Sequence, residues 1–409
     1  MIPMRLIHTS DWHLGRSLHG ADLLAHQAAF LDWLLAESVR QRADAVVVAG
    51  DIYDRAVPTT DAVAVLDRAL SGFAAAAIPV LLISGNHDSA IRLGFGSRLS
   101  EAAGIHLRTS VADLARPVVL ADRHGELALY GIPYLLPDAV AEELGTARSH
   151  AGVLAAATEL IRNDARERGC SRTVVAAHAF VSGAAPSESE RDIRSGGIAD
   201  APASVFAGFS YVALGHLHGQ QNVAAPPGTG AIRYSGSPLA FSFSERDHAK
   251  SVTLAEIDGA GQVTVTKLAA PVPRPLRQVR GTLDELLSRT DPELAGAWIK
   301  AILTDQARPA APMERLREHW PHALVLEFAP QAGLAVAAAD LRRLAQLADP
   351  VQICGLFVEF TSGVAPDAEQ RAVLEQVVET ATQADTAERG SRLTSAGEAE
   401  GWAAGEAAA

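Results

Sequence analysis

Val80-Leu81-Leu82-Ile83-Ser84-Gly85-Asn86-His87-Asp88 is an apolar run of strand length that stops at a glycine and then delivers an amide, an imidazole and a carboxylate. A short apolar run closed by a turn reads as a buried strand, and in open α/β sheets ligands collect at the carboxyl ends of such strands. The same pattern recurs along the chain. Residues 5–9 lead to Asp11-Trp12-His13, residues 45–49 to Gly50-Asp51-Ile52-Tyr53-Asp54, residues 173–177 to His178, and residues 211–214 to Gly215-His216-Leu217-His218. In Asp11-x-His13 and His216-x-His218 the side chains at i and i+2 share a side, so each pair can face one ion.

Around these endings lie a further apolar run at 127–132 and a helical stripe in 22–41, built from Leu23, Leu24, Phe30, Leu31, Leu34 and Leu35. Runs at 251–257 and 262–268 flank Asp258-Gly259-Ala260-Gly261 and read as a hairpin. Strands that alternate with helices make residues 1–272 a layered α/β domain, β-sheets flanked by helices. Pro271, Pro273 and Pro275 then break all periodicity and place a domain boundary. Beyond it a smaller α+β domain is expected over 276–349: helix 283–289, strand 298–304, helix 313–320, strand 323–328 and helix 337–347. Ile353, Phe357 and Phe360, then Val373, Leu374, Val377 and Val378, mark two apolar helical faces, a helix-loop-helix over 350–383. Residues 384–409, rich in Ala, Gly, Glu, Ser and Thr, read as a disordered tail.

A length of 409 residues suits two or three such domains. Thirty-five basic against 48 acidic residues leave a net charge of −13, which excludes holding nucleic acid by bulk positive charge. A phosphate partner then needs a metal, a local arginine cluster or a second subunit, because Lys250, Lys267 and Lys300 are the only lysines. Two cysteines, Cys170 and Cys354, exclude a disulfide scaffold or a Cys-rich zinc site. No uncharged apolar run has the roughly 20 residues of a membrane span and no leader is apparent, so a cytoplasmic protein with no membrane partner is expected.

Taken singly, each strand ending has an ordinary reading. Asp-x-His recurs by chance, Gly-Asn-His-Asp can be a turn closed by its own side chains, and His178 alone can be a structural histidine. Five endings in Asp, Asn or His within one domain, three of them behind a glycine that lets the backbone crowd a ligand, are hard to explain by folding needs. Buried carboxylates and imidazoles without an ion would cost several kcal/mol. Seven of these side chains make two metal sites if one carboxylate bridges.

These motifs, in this order, resemble those of the calcineurin-like metallophosphoesterases. The closer resemblance is to the SbcD family of bacterial DNA-repair nuclease subunits, carried by Thr9-Ser10-Asp11-Trp12-His13-Leu14-Gly15, His26-Gln27, Phe30-Leu31-Asp32-Trp33-Leu34-Leu35, Gly85-Asn86-His87-Asp88-Ser89, Arg191-Asp192-Ile193, Tyr211-Val212-Ala213-Leu214-Gly215-His216 and Tyr234-Ser235-Gly236-Ser237-Pro238-Leu239. The resemblance covers residues 4 to about 270, and the rest only in layout. It implies the metallophosphoesterase fold, with Asp11, His13 and His218 on one divalent ion, Asn86, His178 and His216 on a second, and Asp51 bridging. Oxygen and imidazole ligands without thiolate suit Mn²⁺, with Mg²⁺ or Fe²⁺ as alternatives. His87, outside the ligand set, is assigned the catalytic role of transition-state stabilisation or proton donation to a leaving 3′-oxygen. Asp54 and Asp88 are expected to support the ligands or to cap helices. Arg191 and Arg194, in the polar loop 182–197, are candidate DNA contacts.

The resemblance further implies a DNA nuclease that works as a homodimer with an SbcC-like coiled-coil ABC ATPase, with double-strand 3′-to-5′ exonuclease and single-strand or hairpin endonuclease action. Candidate dimer faces are Val63, Leu66, Leu70, Leu93, Phe95 and Leu99. A stand-alone phosphoesterase acting on a cyclic nucleotide or small phosphate ester would carry the same superfamily motifs, but has no need of the roughly 140 residues after the prolines. An ATPase-binding scaffold with a dead metal site is disfavoured because no ligand position is substituted.

Overall fold

Side-chain alternation along the strands sorts the hydrophobic residues into three layers of core. In the computed structural model, Ala45 and Val47 face the packing between two sheets, while Val46 and Val48 of the same strand face a layer of helices. Opposite them, Val174 and Ala176 face inward, and Val175 and Ala177 face outward onto another helix. Period-two alternation with both faces apolar is what a sheet buried on two sides requires. The structure describes residues 3–190, 201–329, 349–362 and 364–382. Arg191, Arg194, the expected helix at 337–347, the tail at 384–409 and the surroundings of Phe360 lie outside these.

Two compact units result, Met1–Arg277 with Gly296–Trp298, and Gln278–Ala295 with Ile299–Ala409. The first holds strands β1 (Met4–Thr9), β2 (Ala45–Val48), β3 (Val80–Ile83), β4 (Ile105–Arg108), β5 (Val118–Asp122), β6 (Gly125–Ile132), β7 (Arg172–His178), β8 (Tyr211–Gly215), β9 (Gln221–Val223), β10 (Ala231–Tyr234), β11 (Ser251–Ile257) and β12 (Val263–Ala269). One six-stranded sheet runs β12-β11-β1-β2-β3-β4 and the other β9-β10-β8-β7-β6-β5. Strands β1 to β4 are mutually parallel, as are β6, β7, β8 and β10. Helices α1 (Leu24–Gln41) and α2 (Thr60–Ala75) cover the first sheet through Phe30, Leu31, Leu34, Leu66 and Phe73. Helix α3 (His150–Glu167) covers the second through Val153, Leu154, Ala157 and Ile161.

The layered α/β fold expected from the sequence is what forms, with the hairpin β11–β12 in register from Ser251↔Ala269 to Ile257↔Val263. Strands β4, β5, β9 and β10 were not apparent from the sequence. Where the two sheets face one another, His8 of β1 lies between Tyr211 Oη at 2.9 Å and the Leu214 carbonyl at 3.1 Å. Nε2–H therefore donates to the carbonyl and Nδ1 accepts from the tyrosine. Burial holds this imidazole's pKa down at about 3, so it is neutral.

The second unit carries a three-stranded sheet of β13 (Leu276–Gly281), β14 (Trp298–Leu303) and β15 (Ala323–Phe328), whose first residues belong to the other unit. Strands β14 and β15 are parallel with a bulge at Ile299/Lys300. Helix α4 (Pro312–His319) precedes β15. Helix α5 (Pro350–Ser362) follows, and residues 368–382 are also helical.

Candidate metal centre

The carboxyl ends of β1, β2 and β3 in one sheet and of β7 and β8 in the other bring all seven candidate ligands together. Ligand atoms of Asp11, His13 and His218 lie within 4.8 Å of one another, as do those of Asp11, Asp51 and His178. Asp51 Oδ2 lies 3.6 Å from His13 Nε2 and 3.6 Å from His178 Nε2. Asn86 Oδ1 lies 2.9 Å from His178 Nε2 and 3.2 Å from His216 Nδ1.

Four of these residues pay for their positions in backbone strain: Asp11 (φ 54°), His13 (φ 44°), Asp51 (φ 50°) and His216 (φ 108°) all have positive φ. The glycines beside them allow the crowding. A Cβ on Gly85 would stand 2.1 Å from Asp51 Oδ1, and one on Gly215 would stand 1.8 Å from the Ala49 carbonyl oxygen.

The donor chemistry fits a pair of cations. The Nδ1–H of His178 donates to the Ala49 carbonyl at 2.9 Å, which leaves a lone pair on Nε2. At His218, Nδ1 faces Ser189 Oγ and the Glu245 carboxylate, so its Nε2 lone pair also points inward, 3.2 Å from His13 Nε2. His13 Nδ1 is buried with no hydrogen-bond partner. Asn86 Nδ2 is buried with no hydrogen-bond partner. Turning the amide over would give Nδ2 an acceptor in His178, whereas Oδ1 facing two imidazoles is the arrangement a cation requires.

Electrostatics agrees. Burial, then the Asp51 charge, raises the Asp11 pKa well above the carboxylate range. Burial, with neighbouring imidazoles, lowers His13 and His216, and burial lowers His178, so these rings are neutral. Two adjacent buried carboxylates among neutral imidazoles are stable as anions when a divalent ion sits with them.

His87 adjoins this set: ligand atoms of His13, Asp54 and His87 also lie within 4.8 Å of one another, and the His87 and His13 rings are 4.6 Å apart. The Nδ1–H of His87 donates to the Asp54 carbonyl at 2.8 Å, which leaves Nε2 4.0 Å from Asp51 Oδ2. Asp88 accepts from the N–H groups of Ile52, Tyr53 and Gly85 at 2.9–3.0 Å and so ties the loop after β2 to the loop after β3. Burial, then the Asp51 charge, raises its pKa to about 7. Asp54 Oδ1 is 3.7 Å from both His13 Nδ1 and Arg16 Nε. Neither aspartate caps a helix: Thr59 caps α2 and Ser89 caps the short helix Ala90–Leu93.

Several supporting residues escaped the sequence reading. Ser10 donates to Asp11 Oδ2 at 2.6 Å, Glu190 accepts the His218 N–H at 2.7 Å, and Arg16 packs over Phe241, itself against His13 and His218. Glu245 and Lys250 form a buried ion pair behind His218. The one signal for that pair was the rarity of lysine. Of the candidate dimer face, Leu66 and Leu93 belong to the core, whereas Phe95 and Leu99 are 89% and 83% exposed.

Residues 4–220 match the calcineurin-like phosphoesterase family, and residues 272–361 match the type 5 capsule protein repressor C-terminal domain. The SbcD component of nuclease SbcCD from Staphylococcus saprophyticus is 31% identical over 336 residues, spanning 79% of this chain and 84% of that protein. Among solved structures, a dimetal phosphatase from Danio rerio is 14% identical with a TM-score of 0.41, covering 66% of this chain and 100% of that one. The calcineurin-like phosphoesterase YfkN from Bacillus subtilis is 13% identical with a TM-score of 0.37, covering 66% and 90%.

Proposed function

Because the chain belongs to the calcineurin-like phosphoesterases, in the family of the SbcD component of nuclease SbcCD, a metal-dependent hydrolase, we propose that it cleaves DNA phosphodiester bonds as the nuclease subunit of a complex with an SbcC-like ATPase. The observation that supports this reading best is that Asp51 Oδ2 lies 3.6 Å from both His13 Nε2 and His178 Nε2, as a carboxylate shared by two ions would. On it, Asp11, His13 and His218 hold one ion, Asn86, His178 and His216 the other, and Mn²⁺ suits both. Such ions would supply a water of lowered pKa and would offset charge on the phosphate.

The chain's own residues do the rest. His87 presents Nε2 beside Asp51 and, protonated, stabilises the developing charge or hands a proton to the leaving 3′-oxygen. Asp88 and Asp54 hold the loops from which Asp51 and His87 project. Ser189 and Glu190 contact His218, and Arg191 and Arg194, which follow them in the sequence, are assigned to contact the DNA backbone.

Residues 1–272 form the nuclease domain, 276–349 a capping domain and 350–383 the ATPase-docking helix pair. Homodimerisation uses the face bearing exposed Ile91, Phe95 and Leu99. The actions are double-strand 3′-to-5′ exonuclease and single-strand or hairpin endonuclease, in a cytoplasmic repair complex. Among the described residues no helix is long and apolar enough to cross a membrane. The test is Mn²⁺-dependent cleavage of end-labelled duplex and hairpin DNA, with the ATPase present and absent, beside a cyclic nucleotide and a small chromogenic phosphodiester. DNA cleavage stimulated by ATP and partner is expected. Hydrolysis of the small esters with no DNA cleavage under any condition would assign the stand-alone phosphoesterase activity.

A further inference from the structure

Glu245 and Lys250 are 1% and 6% exposed, an ion pair sealed inside the first unit. Lys250 Nζ is fully used, bonded to Glu245 Oε2, to Ser237 Oγ at 2.9 Å and to the His218 carbonyl at 3.1 Å. The other carboxylate oxygen, Oε1, accepts from Ser189 Oγ and lies 3.4 Å from His218 Nδ1, while Ser189 Oγ accepts from that same Nδ1–H. The imidazole of His218 is thus backed by a carboxylate, directly and through one hydroxyl.

A sealed ion pair is a poor way to gain stability, since desolvation consumes most of the attraction and an apolar pair of equal volume often does as well. Its position points to another use. His178, on the other side of Asp51, is backed by a neutral carbonyl, that of Ala49. A carboxylate behind an imidazole fixes the tautomer that leaves Nε2 free and makes that nitrogen more basic, and its loss typically weakens metal binding about 10–100-fold.

We propose that Glu245, neutralised by Lys250, is a positioning residue that tightens the ion held by Asp11, His13 and His218 and leaves the ion at Asn86, His178 and His216 unaffected. This rests on the two-ion reading of the site, and the experiment separates the two. The full chain, stripped by chelator, is titrated with Mn²⁺ by calorimetry, with electron paramagnetic resonance of the bound ion as a second readout. Wild type should bind two ions. Glu245→Gln should weaken one of them about 10–100-fold and keep the other at wild-type affinity, while lowering the metal-free thermal transition because Lys250 is left buried without its counter-charge. Glu245→Gln combined with His218→Ala should bind no worse than His218→Ala alone, because the carboxylate acts through that ring. Should Glu245→Gln fail to fold, Glu245→Leu with Lys250→Met removes both charges at similar volume and should weaken the same single ion by a similar factor. Two ions at wild-type affinity in either variant, or additive losses in the combination, would overturn the proposal alone. A wild-type chain that takes up fewer than two ions would overturn the two-ion reading as well.

Discussion

His87 and Asp51 are neighbours with separable duties. The His87 N–H donates to Asp51 Oδ1 at 2.9 Å, while its imidazole Nδ1–H is engaged by the Asp54 carbonyl. Removing the ring should therefore spare the ions and slow the chemistry. His87→Ala is expected to keep near wild-type Mn²⁺ content and lose roughly 10²–10⁴-fold in turnover of a small phosphodiester. Asp51→Asn, which removes the shared anion, should lose activity together with at least one ion per chain. Metal analysis beside the rate assay distinguishes the two, and loss of metal in His87→Ala would make that residue a ligand. At this scale the seven candidate ligands were legible because each follows an apolar run within a few residues. Ser189 and Glu245 were not, since they lie in loops without periodicity and reach His218 only through the fold.

Strand ends and the glycines beside them set the site's dimensions. A Cβ at Gly85 would meet not only Asp51 Oδ1 but the Asp51 backbone nitrogen, at 2.3 Å, and a backbone atom cannot rotate aside. Gly85→Ala should push the loops after β2 and β3 apart and lower Mn²⁺ affinity at least tenfold, with the sheet signal in far-ultraviolet circular dichroism preserved. Unchanged affinity would mean that the loops yield without cost. The apolar runs of β2, β3 and β8 were readable because burial on both faces leaves no charged interruption. Strand β4 hid behind its content, with His106 and Arg108 among four residues. Strand β13, Leu276–Gly281, hid behind the prolines before it, which made residues 271–275 look like the start of a longer linker.

Over the whole chain the excess of acid is answered locally, at the point where Asp11, Asp51 and the imidazoles would concentrate positive charge. Val373 and Val377 are 56% and 58% exposed and Phe357 is 64% exposed, apolar surface of the kind that marks a partner site. Truncation after residue 349 should leave metal-dependent hydrolysis of a small phosphodiester intact and abolish copurification with an SbcC-like ATPase. A truncated chain that still binds the ATPase with full affinity would move that interface elsewhere. Chain order also matters to how the molecule is made. Strand β1 lies between β2 and β11, and β11 spans residues 251–257. During synthesis the β11 edge of β1 therefore waits for a partner that is translated after His216 and His218, so every candidate ligand precedes the strand that completes this pairing.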